Sequence, residues 1–425
     1  MIEQLYKIFL RHSSVQTDTR KLQPGDLFFA LKGPNFNGNS FAEKAIAAGA
    51  AYVVIDEKEF EIPGKTILVD DVLIALQQLA KHHRRQFNVP FIAITGSNGK
   101  TTTKELIHAV LSTTFKTSTT EGNLNNHIGV PFTLLKIKHD IEIAVIEMGA
   151  SHLKEIAGYC EIAQPNYGLI TNCGKAHLEG FGSEEGVRKG KGELFDYLRN
   201  NRGTAFVMWD YNYLQEMSSG ILNKIKYGSR GVEITGVASE SDPFLHVKMT
   251  NGFSAVIIKT QLVGDYNLPN VLAAVSVGKH FGVNEEKIIS AIENYIPSNS
   301  RSQLLIKNTN TLILDAYNAN PSSMKLAIEN FAKNPANNKV LVLGAMAELG
   351  QDSLNEHEQI IELIKKYDWK NVVLVGGDFL KLNHPFISFE NSIQSKEWFN
   401  NQNFSDTHFL IKGSRSMKME NVIEK

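Results

Sequence analysis

The feature that most constrains this fold is an apolar strand that runs through a glycine turn into a helix, at residues 91–111. The run FIAIT (91–95) leads into GSNGKT (96–101), and apolar residues then recur at helical spacing. In such a turn, glycines let backbone N–H groups approach phosphate oxygens, the lysine neutralises the terminal phosphates, and the threonine can ligate Mg²⁺. The pattern predicts a nucleoside triphosphate site formed by Gly96, Ser97, Asn98, Gly99, Lys100, Thr101 and Thr102.

The turn differs from the usual phosphate loop in its length. Ile94 stands where the longer motif has its first glycine, so this loop is a shortened variant with two residues between Gly96 and Gly99. A glycine-rich turn with an accidental Lys-Thr pair is the alternative interpretation. The strand before the turn and the helix after it both lie where a phosphate site requires them, which favours the nucleotide.

Short apolar runs alternate with helical patterns in two series, which is typical of parallel sheets covered by helices on both faces. We therefore predict two α/β units, separated by the polar linker NYIPSNSR (294–301). A third block precedes them, and the expected domains are residues 1–85, 86–297 and 298–425. The predicted strands are 91–95, 144–148, 169–173 and 204–209 in the first series, and 312–316, 340–344, 371–377 and 408–413 in the second.

The length of the chain fits three folded units, and its net charge argues against nucleic acid and anionic membranes as partners. The 425 residues correspond to about three domains of ordinary size. A net charge of −1 gives no electrostatic attraction for nucleic acid or for an anionic membrane. The N-terminus lacks the layout of a secretory signal, and no apolar run approaches the roughly 18 residues of a membrane span, so we expect a cytoplasmic protein. Cys160 and Cys173 are expected to be buried, without a disulfide or a metal.

Two further residues follow strands at the edge of the sheet where ligands of α/β folds collect. Glu147 ends the run AVIEM (144–148), and a carboxylate at a neighbouring strand end is the usual partner for nucleotide-bound Mg²⁺. His177 lies in the loop after the next predicted strand. Glu147 could instead cap the following helix, and His177 could be an ordinary loop residue.

Several segments resemble those of the Mur ligases, the ATP-dependent amide-forming enzymes of peptidoglycan precursor synthesis. They are TGSNGKTT (95–102), GNLNNHIGVP (122–131), EMGAS (147–151) and TNCGKAHLEGFGS (171–183), in the family's order. The resemblance implies an α/β protein with three domains. These are a small α/β N-terminal domain for the UDP-MurNAc-peptide, a central P-loop ATPase domain with a parallel sheet, and a Rossmann-like α/β C-terminal ligase domain.

The C-terminal motifs narrow the activity that the resemblance implies. DAYNANPSSM (315–324), LGAMAELG (343–350) and KGSRSMKME (412–420) are similar to those of the family member that adds D-alanyl-D-alanine. That member uses ATP to convert the carboxylate of UDP-MurNAc-tripeptide into an acyl phosphate, from which the dipeptide amine displaces phosphate. The implied partners are these small molecules alone, with no nucleic acid and no membrane, and the implied state is a monomer.

Other activities remain as alternatives. A related Mur or folylpolyglutamate-type ligase would add a single amino acid instead of the dipeptide. A nucleotide-driven switch would be expected to carry N-K-x-D for guanine, which the sequence lacks, and an Asp at the strand end occupied by Glu147. A nucleic-acid-dependent ATPase conflicts with the balanced charge.

The resemblance also implies a metal centre with two Mg²⁺ ions. Lys191, in KGELF (191–195), matches the place where the family carries a carbamylated lysine, and Lys189 is the second candidate. Carbamylation would turn a cation into an anionic oxygen ligand. The alternative is a lysine on a solvated helix face. The implied metal ligands are Thr101, Glu147, His177 and Lys191, and the implied catalytic residues are Lys100, Lys191, His177 and Arg301.

The remaining implied contacts concern nucleotide and substrate. Asn267 and Asn270 match residues near adenine, Arg301 matches the arginine that reaches the terminal phosphate, and Asp315 matches the acid at the ribose. Asp315 could equally cap a helix, and the basic residues near the C-terminus could be a solvated edge. The implied substrate-binding residues are Thr17, Thr19 and Arg20 for the uridine nucleotide, and Asn318, Asn320, Lys412 and Arg415 for the peptide substrates.

Overall fold

The computed structural model describes residues 1–12, 14–241, 243–298 and 300–424. Ser13, Asp242, Asn299 and Lys425 lie outside the described residues, and Asn299 belongs to the predicted linker. Three main sheets follow one another along the chain, each with helices packed against it. The predicted α/β class is therefore confirmed.

The N-terminal block holds a parallel sheet of four strands in the order β1-β2-β5-β6, and a small hairpin, β3-β4. Its last helix begins at an aspartate: the Asp71 carboxylate accepts a hydrogen bond from the backbone N–H of Ile74 at 2.8 Å, which satisfies one free amide of the first turn. The elements are α1 Ile2–His12, β1 Val15–Gln16, β2 Leu27–Phe29, β3 Lys32–Gly33, β4 Phe36–Asn37, α2 Ala42–Ala47, β5 Tyr52–Ile55, β6 Thr66–Leu68 and α3 Val72–Arg84.

The central block is built on a nine-stranded sheet in the order β15-β14-β13-β12-β11-β10-β7-β9-β8. Strands β7 to β13 are mutually parallel, whereas β14 and β15 continue the sheet by antiparallel pairing. The elements are β7 Phe91–Thr95, α4 Lys100–Ser112, β8 Thr117–Thr119, α5 Gly129–Leu135, β9 Ile143–Glu147, α6 Glu155–Ala163, β10 Tyr167–Ile170, α7 Leu178–Phe181, α8 Glu184–Asn200, β11 Thr204–Met208, α9 Asn212–Met217, β12 Asn223–Gly228, β13 Ile234–Ser241, β14 Phe244–Asn251, β15 Ile257–Val263, α10 Leu268–His280 and α11 Glu285–Glu293.

The C-terminal block contains a six-stranded sheet in the order β16-β17-β21-β18-β19-β20. Among the described strands of this sheet only β16 is antiparallel to its neighbour, and β17, β18, β19 and β21 carry continuous apolar runs that are buried. The elements are β16 Gln303–Lys307, β17 Asn310–Asp315, α12 Pro321–Ala332, β18 Lys339–Gly344, α13 Ser353–Ile364, β19 Asn371–Val375, β20 Ile387–Phe389, α14 Ser392–Asn400 and β21 His408–Lys412.

Every one of the eight predicted apolar runs overlaps a strand of the two larger sheets. The strands β13 to β15, in which β14 and β15 add by antiparallel pairing, were not predicted. The outer strand, β15, is covered by α11: the backbone N–H of Lys259 donates to Glu293 Oε1 at 2.9 Å, and Gln261 Nε2 donates to the Glu293 carbonyl at 3.0 Å. The sheet edge is thus protected by a helix.

Both cysteines, Cys160 and Cys173, are buried and unpaired as disulfides, as predicted. Among the helices of the described chain, none combines the length and apolar character that crossing a bilayer would require.

Candidate active site

The glycine turn joins β7 to α4 at the carboxyl edge of the central sheet. Gly96 has φ +143° and Gly99 has φ +79°, backbone conformations that residues with a Cβ rarely adopt. A Cβ on Gly96 would lie 2.0 Å from Thr171 Oγ1, and one on Gly99 would lie 2.6 Å from Asn270 Oδ1. No side chain of the described residues caps α4, so its first amides face the loop and can bind an anion.

A cavity of about 940 Å³ opens at this edge, between the central and C-terminal sheets. It is large enough for a nucleotide together with part of a second substrate. The predicted residues that line it are Ser97, Asn98, Gly99, Lys100, Thr101, Thr102, Glu147, His177, Asn267, Asn270, Arg301, Asp315, Asn318, Asn320 and Lys412.

Lys100 is folded back over its own loop. Its Nζ donates to the carbonyl of Gly96 at 2.6 Å and to that of Ser97 at 3.2 Å. Burial lowers the pKa of Lys100, the negative charges of Glu147 and Glu348 oppose that shift, and the positive charge of Arg301 adds to it. The ammonium group therefore lies where charges from both blocks converge.

Glu147 ends β9 and is only 1% exposed. Its Oε1 accepts a hydrogen bond from Asn125 Nδ2 at 2.7 Å, and its backbone N–H donates to Thr120 Oγ1 at 2.9 Å. Its Oε2 is buried and has no hydrogen-bond partner among the described residues. Glu147 does not cap the next helix, since α6 has Lys154 at its N-cap. A buried carboxylate oxygen without a partner is a fitting ligand for a hard cation.

His177 lies in the loop that leads to α7, and it faces a residue of the C-terminal block. Its Nδ1 is 2.5 Å from Glu348 Oε2, although the N–H direction is too far off this line for an aligned hydrogen bond. The contact with His177 lowers the pKa of Glu348, and the positive charge of Lys100 acts in the same direction. Within the described chain, no group of three or more His, Cys, Asp or Glu side chains is close enough to hold a metal ion.

Lys191 lies on α8 and is fully buried, so the interpretation as a solvated lysine is wrong. Its Nζ donates to the carbonyl of Ala150 at 2.7 Å and lies 5.0 Å from the centre of the Phe181 ring. Burial, helped by the positive charge of Lys100, lowers the pKa of Lys191 to about 7. Lys191 does not line the cavity, while Lys189 on the same helix is exposed. A lysine with this pKa is partly neutral near pH 7, the form that reacts with CO₂.

The two predicted adenine residues are buried in a chain of hydrogen bonds. Asn270 Nδ2 donates to Asn267 Oδ1 at 2.8 Å, and Asn270 Oδ1 accepts from Thr103 Oγ1 at 3.0 Å. Asn267 Nδ2 in turn donates to the carbonyl of Val263 at 2.9 Å. These contacts fix the start of α10 against α4, so both asparagines shape the cavity wall.

At the junction of the two blocks, Arg301 stacks on Tyr317, with the guanidinium carbon 3.5 Å from the ring centre. Asp315 accepts from the backbone N–H of Ser302 at 3.1 Å and pairs with Lys412 Nζ at 2.5 Å. Asp315 does not cap α12, which is capped by Asn320. Lys412 is only 2% exposed, so it is not part of a solvated basic edge.

The C-terminal block touches the phosphate loop directly. Asn320 Nδ2 donates to Asn98 Oδ1 at 2.8 Å. Lys175, in the loop after β10, pairs with Glu356 at 2.6 Å. Glu348 was not among the predicted site residues, although it lies in the motif LGAMAELG. The sequence did offer a signal for Glu348, because it is a charged residue just after the buried strand β18.

Some predicted substrate residues lie away from this cavity. Thr17, Thr19 and Arg20 belong to the N-terminal block, and none of them lines it. The Arg20 guanidinium pairs with Asp18 at 2.8 Å and holds the pKa of that carboxyl at about 2. Arg415 also lies outside the cavity lining and pairs with Glu420 at 2.7 Å. The roles assigned to these four residues stay predictions.

Three family descriptions match successive parts of the chain: "Mur ligase family, catalytic domain" at residues 11–84, "Mur ligase middle domain" at 94–278, and "Mur ligase, glutamate ligase domain" at 300–393. The UDP-N-acetylmuramoyl-tripeptide–D-alanyl-D-alanine ligase of Bacillus subtilis is 34% identical, over 96% of this chain and 92% of the relative. The ligase of the same name from Escherichia coli is 37% identical with the same coverage.

Solved structures similar to this chain include ligases of the same family. A crystal structure of MurF from Acinetobacter baumannii matches with a TM-score of 0.88 and 29% identity, over 96% of this chain and 92% of that one. The MurF ligase of Thermotoga maritima in complex with ADP matches with a TM-score of 0.87 and 26% identity, over 97% of each chain.

Proposed function

Because the chain belongs to the Mur ligase family, we propose that it is the ATP-dependent ligase that joins D-alanyl-D-alanine to UDP-MurNAc-tripeptide. The observation that carries the proposal is the shared cavity. Its central wall is the glycine turn, and its opposite wall is the segment DAYNANPSSM, which contributes Asp315, Asn318 and Asn320. Curated relatives with this activity align over nearly the whole chain, which favours the dipeptide over a single amino acid.

We propose that ATP binds at the glycine turn with Mg²⁺. A relative from Thermotoga maritima is described with ADP, and the loop here offers the free amides of α4 that a phosphate needs. Thr101 and the unpaired Oε2 of Glu147 would hold one ion, with His177 and a carbamylated Lys191 serving a second. When bound, Mg²⁺ would neutralise charge on the phosphates. The buried setting and lowered pKa of Lys191 support its carbamylation.

In this proposal the chain acts by positioning and by neutralising charge. Lys100 and Arg301 offset the negative charge that would repel the attacking carboxylate of the tripeptide. That carboxylate oxygen bonds to the γ-phosphorus of ATP, ADP leaves, and the resulting acyl phosphate is attacked by the dipeptide amine, which releases phosphate. The contacts of Asn320 and Lys175 across the cavity would keep the C-terminal block over the reacting groups and exclude water.

We also propose that the enzyme acts as a cytoplasmic monomer, with domain bounds at 85/86 and 297/298. ATP and a uridine-linked precursor are cytoplasmic compounds, and the three sheets lie within these bounds. Light scattering on purified protein would check the monomeric state.

The proposed activity is tested by phosphate release with UDP-MurNAc-tripeptide, ATP, D-Ala-D-Ala and Mg²⁺, omitting each in turn. We expect pentapeptide product and phosphate only with the full set. Single amino acids in place of the dipeptide provide the control for acceptor choice. The absence of pentapeptide with all four components would contradict the proposal.

A further inference from the structure

Two loops from different sheets meet at His177 and Glu348. Both residues have left-handed backbone conformations, with φ +53° and +61°, which residues other than glycine rarely adopt. The backbone N–H of Glu179 donates to the Glu348 carbonyl at 3.2 Å. Backbone and side chain of Glu348 therefore both reach the loop that carries His177.

The distance between their side chains constrains the protonation of His177. Its Nδ1 lies 2.5 Å from Glu348 Oε2. Nδ1 makes no aligned hydrogen bond in the structure, yet two bare acceptor atoms would repel at this separation and an ionised carboxylate can only accept. The proton therefore belongs on Nδ1, and a small rotation of either side chain aligns the bond. In the neutral ring, the lone pair then lies on Nε2. This is the tautomer that leaves Nε2 able to bind a cation, with the carboxylate fixing the ring from behind.

We propose that Glu348 is a positioning residue that holds His177 as the Nδ1–H tautomer and thereby completes the metal centre when the C-terminal block is docked. The inference rests on the proposed function, in which His177 binds Mg²⁺. His177 and Glu348 lie in different blocks, so their contact depends on docking. Docking of the C-terminal block and metal affinity are therefore coupled.

The pair acts through orientation rather than through attraction between charges. The Glu348 side chain is 55% exposed and that of His177 is 24% exposed, so solvent screens the pair strongly. Removing Glu348 should therefore change the tautomer and the metal affinity far more than the stability of the fold. In Glu348→Gln the side-chain amide oxygen would offer Nδ1–H an acceptor at the same place, which makes this substitution the conservative comparison.

Metal affinity provides the first test. Mn²⁺ serves as the probe, and free Mn²⁺ is measured by electron paramagnetic resonance with the full chain and ADP. We expect Glu348→Ala to weaken Mn²⁺ binding by about tenfold or more, in the range typical for outer-shell partners of metal-binding histidines. Glu348→Gln should recover most of that loss. Glu362→Gln, which removes an exposed carboxylate on α13, is the matched control and should bind like the wild type.

The tautomer provides a readout that does not depend on metal. Long-range ¹H–¹⁵N correlation spectra of protein labelled at histidine, assigned by His177→Ala, should report Nδ1–H in the wild type and in Glu348→Gln. Glu348→Ala should shift the ring toward the Nε2–H form.

The two levels of the hypothesis fail in different ways. If His177→Ala weakens Mn²⁺ binding but Glu348→Ala leaves both the affinity and the tautomer unchanged, the positioning role is overturned and the metal role of His177 stands. If His177→Ala binds Mn²⁺ like the wild type, the metal role is wrong and the positioning role falls with it. Missing pentapeptide synthesis in the wild type would instead contradict the proposed function.

Discussion

At the scale of single residues, the site gathers charged side chains from two blocks around Lys100. Glu147 comes from the central sheet, while Glu348 and Arg301 belong to the C-terminal side. Opposite charges at a partly buried site interact more strongly than they would in bulk water. Each of these side chains is therefore a point where a single substitution should affect chemistry more than folding.

Lys100→Ala should slow phosphate release by a factor of about 10²–10³ while leaving the tripeptide nucleotide bound. In the proposed mechanism the ammonium group neutralises charge that develops on the phosphates, and loss of such a group costs about 10²–10³ in rate. Phosphate release and binding of UDP-MurNAc-tripeptide by calorimetry measure the two properties separately. Lys104→Ala would be a poor control because Lys104 is buried, so exposed Lys116→Ala is preferable. Wild-type turnover in Lys100→Ala would contradict the role.

Lys191→Ala should lose activity by about a hundredfold or more, because it removes the proposed anionic ligand. Added formate or acetate should restore part of the rate by placing a carboxylate in the space left. Protein equilibrated with ¹³C-bicarbonate should give a carbamate signal in NMR that Lys191→Ala lacks.

Lys189→Ala, on the exposed face of the same helix, is the matched control and should keep both the rate and the signal. Full activity in Lys191→Ala, without any added acid, would rule out the carbamate.

At the scale of elements, α3 connects the N-terminal block to the central one. The buried Arg84 at its end donates to the carbonyls of Ala163 and Gln164 at the end of α6, and its guanidinium lies 3.6 Å from the centre of the Phe91 ring. These carbonyls carry the negative end of the α6 dipole, which suits a cation. Burial lowers the pKa of Arg84 to about 10. The two blocks are thus joined by a charged side chain that pairs with no carboxylate of the described residues.

The same helix should make folding stability depend on pH through His83. Its Nε2 lies 2.8 Å from the Ile137 carbonyl and must donate, so the unprotonated Nδ1 accepts from Tyr6 Oη at 3.1 Å. Burial lowers the pKa of His83, and charge on His139 and His82 acts in the same direction. Below pH 6.5 the unfolded chain takes up a proton that the folded chain resists.

We therefore expect His83 to reduce the free energy of unfolding as the pH falls below 6.5, by at most about 1.4 kcal/mol per pH unit. Its full contribution is present above that pH. Urea unfolding of the wild type and His83→Gln at pH 7.5 and 5.5 measures the difference. The substitution should remove part of the acid dependence, whereas His12→Gln on α1 should not. Equal slopes for wild type and His83→Gln would refute this assignment.

At the scale of the whole molecule, the C-terminal block is held over the phosphate loop by a few polar contacts. The pair Lys175–Glu356 is the most buried of these at its carboxylate end, where Glu356 is only 4% exposed. Removing the lysine would leave a buried carboxylate without its charge partner, which disfavours the docked arrangement. We therefore expect that single substitutions can weaken the docking of the C-terminal block onto the central block.

Lys175→Met should enlarge the radius of gyration measured by small-angle scattering and raise the KM for ATP, because docking becomes less favourable. Lys365→Met removes an equivalent charge from an exposed pair and should change neither. A radius of gyration equal to that of the wild type would show that this pair does not hold the blocks together.

Part of this architecture was predictable because buried parallel strands are continuous apolar runs, and each of the eight predicted runs overlaps a strand. The parallel strands β8, β12 and β20 and those of the N-terminal sheet were not predicted. The family resemblance and the fold class are confirmed. The strands β13 to β15 were missed because they alternate apolar and polar residues, as in FLHVKMTN (244–251), and lack the continuous pattern. The domain bounds and the roles of the site residues remain predictions.

The burial of Lys191 was not predicted, although the sequence carries a signal for it. Lys191 stands four residues after Val187 and three before Leu194, which places it on the apolar stripe of α8. The contact between His177 and Glu348 had no such signal, since it joins loops of two separate sheets and depends on how the blocks pack. Local pattern predicts the face of a helix, but it does not predict which loops meet across a cleft.

The covering of β15 by α11 has a consequence for how copies of this chain behave when crowded. An uncovered outer strand offers a row of unpaired amides on which a stray extended segment can add, which is a route to fibrils. Here the Glu293 carboxylate accepts a hydrogen bond from the backbone N–H of Lys259 at the β15 edge of the sheet. The opposite margin, β8, is only three residues long and gives an incoming segment little to pair with. The widest sheet of the molecule is therefore a poor template for amyloid-like growth.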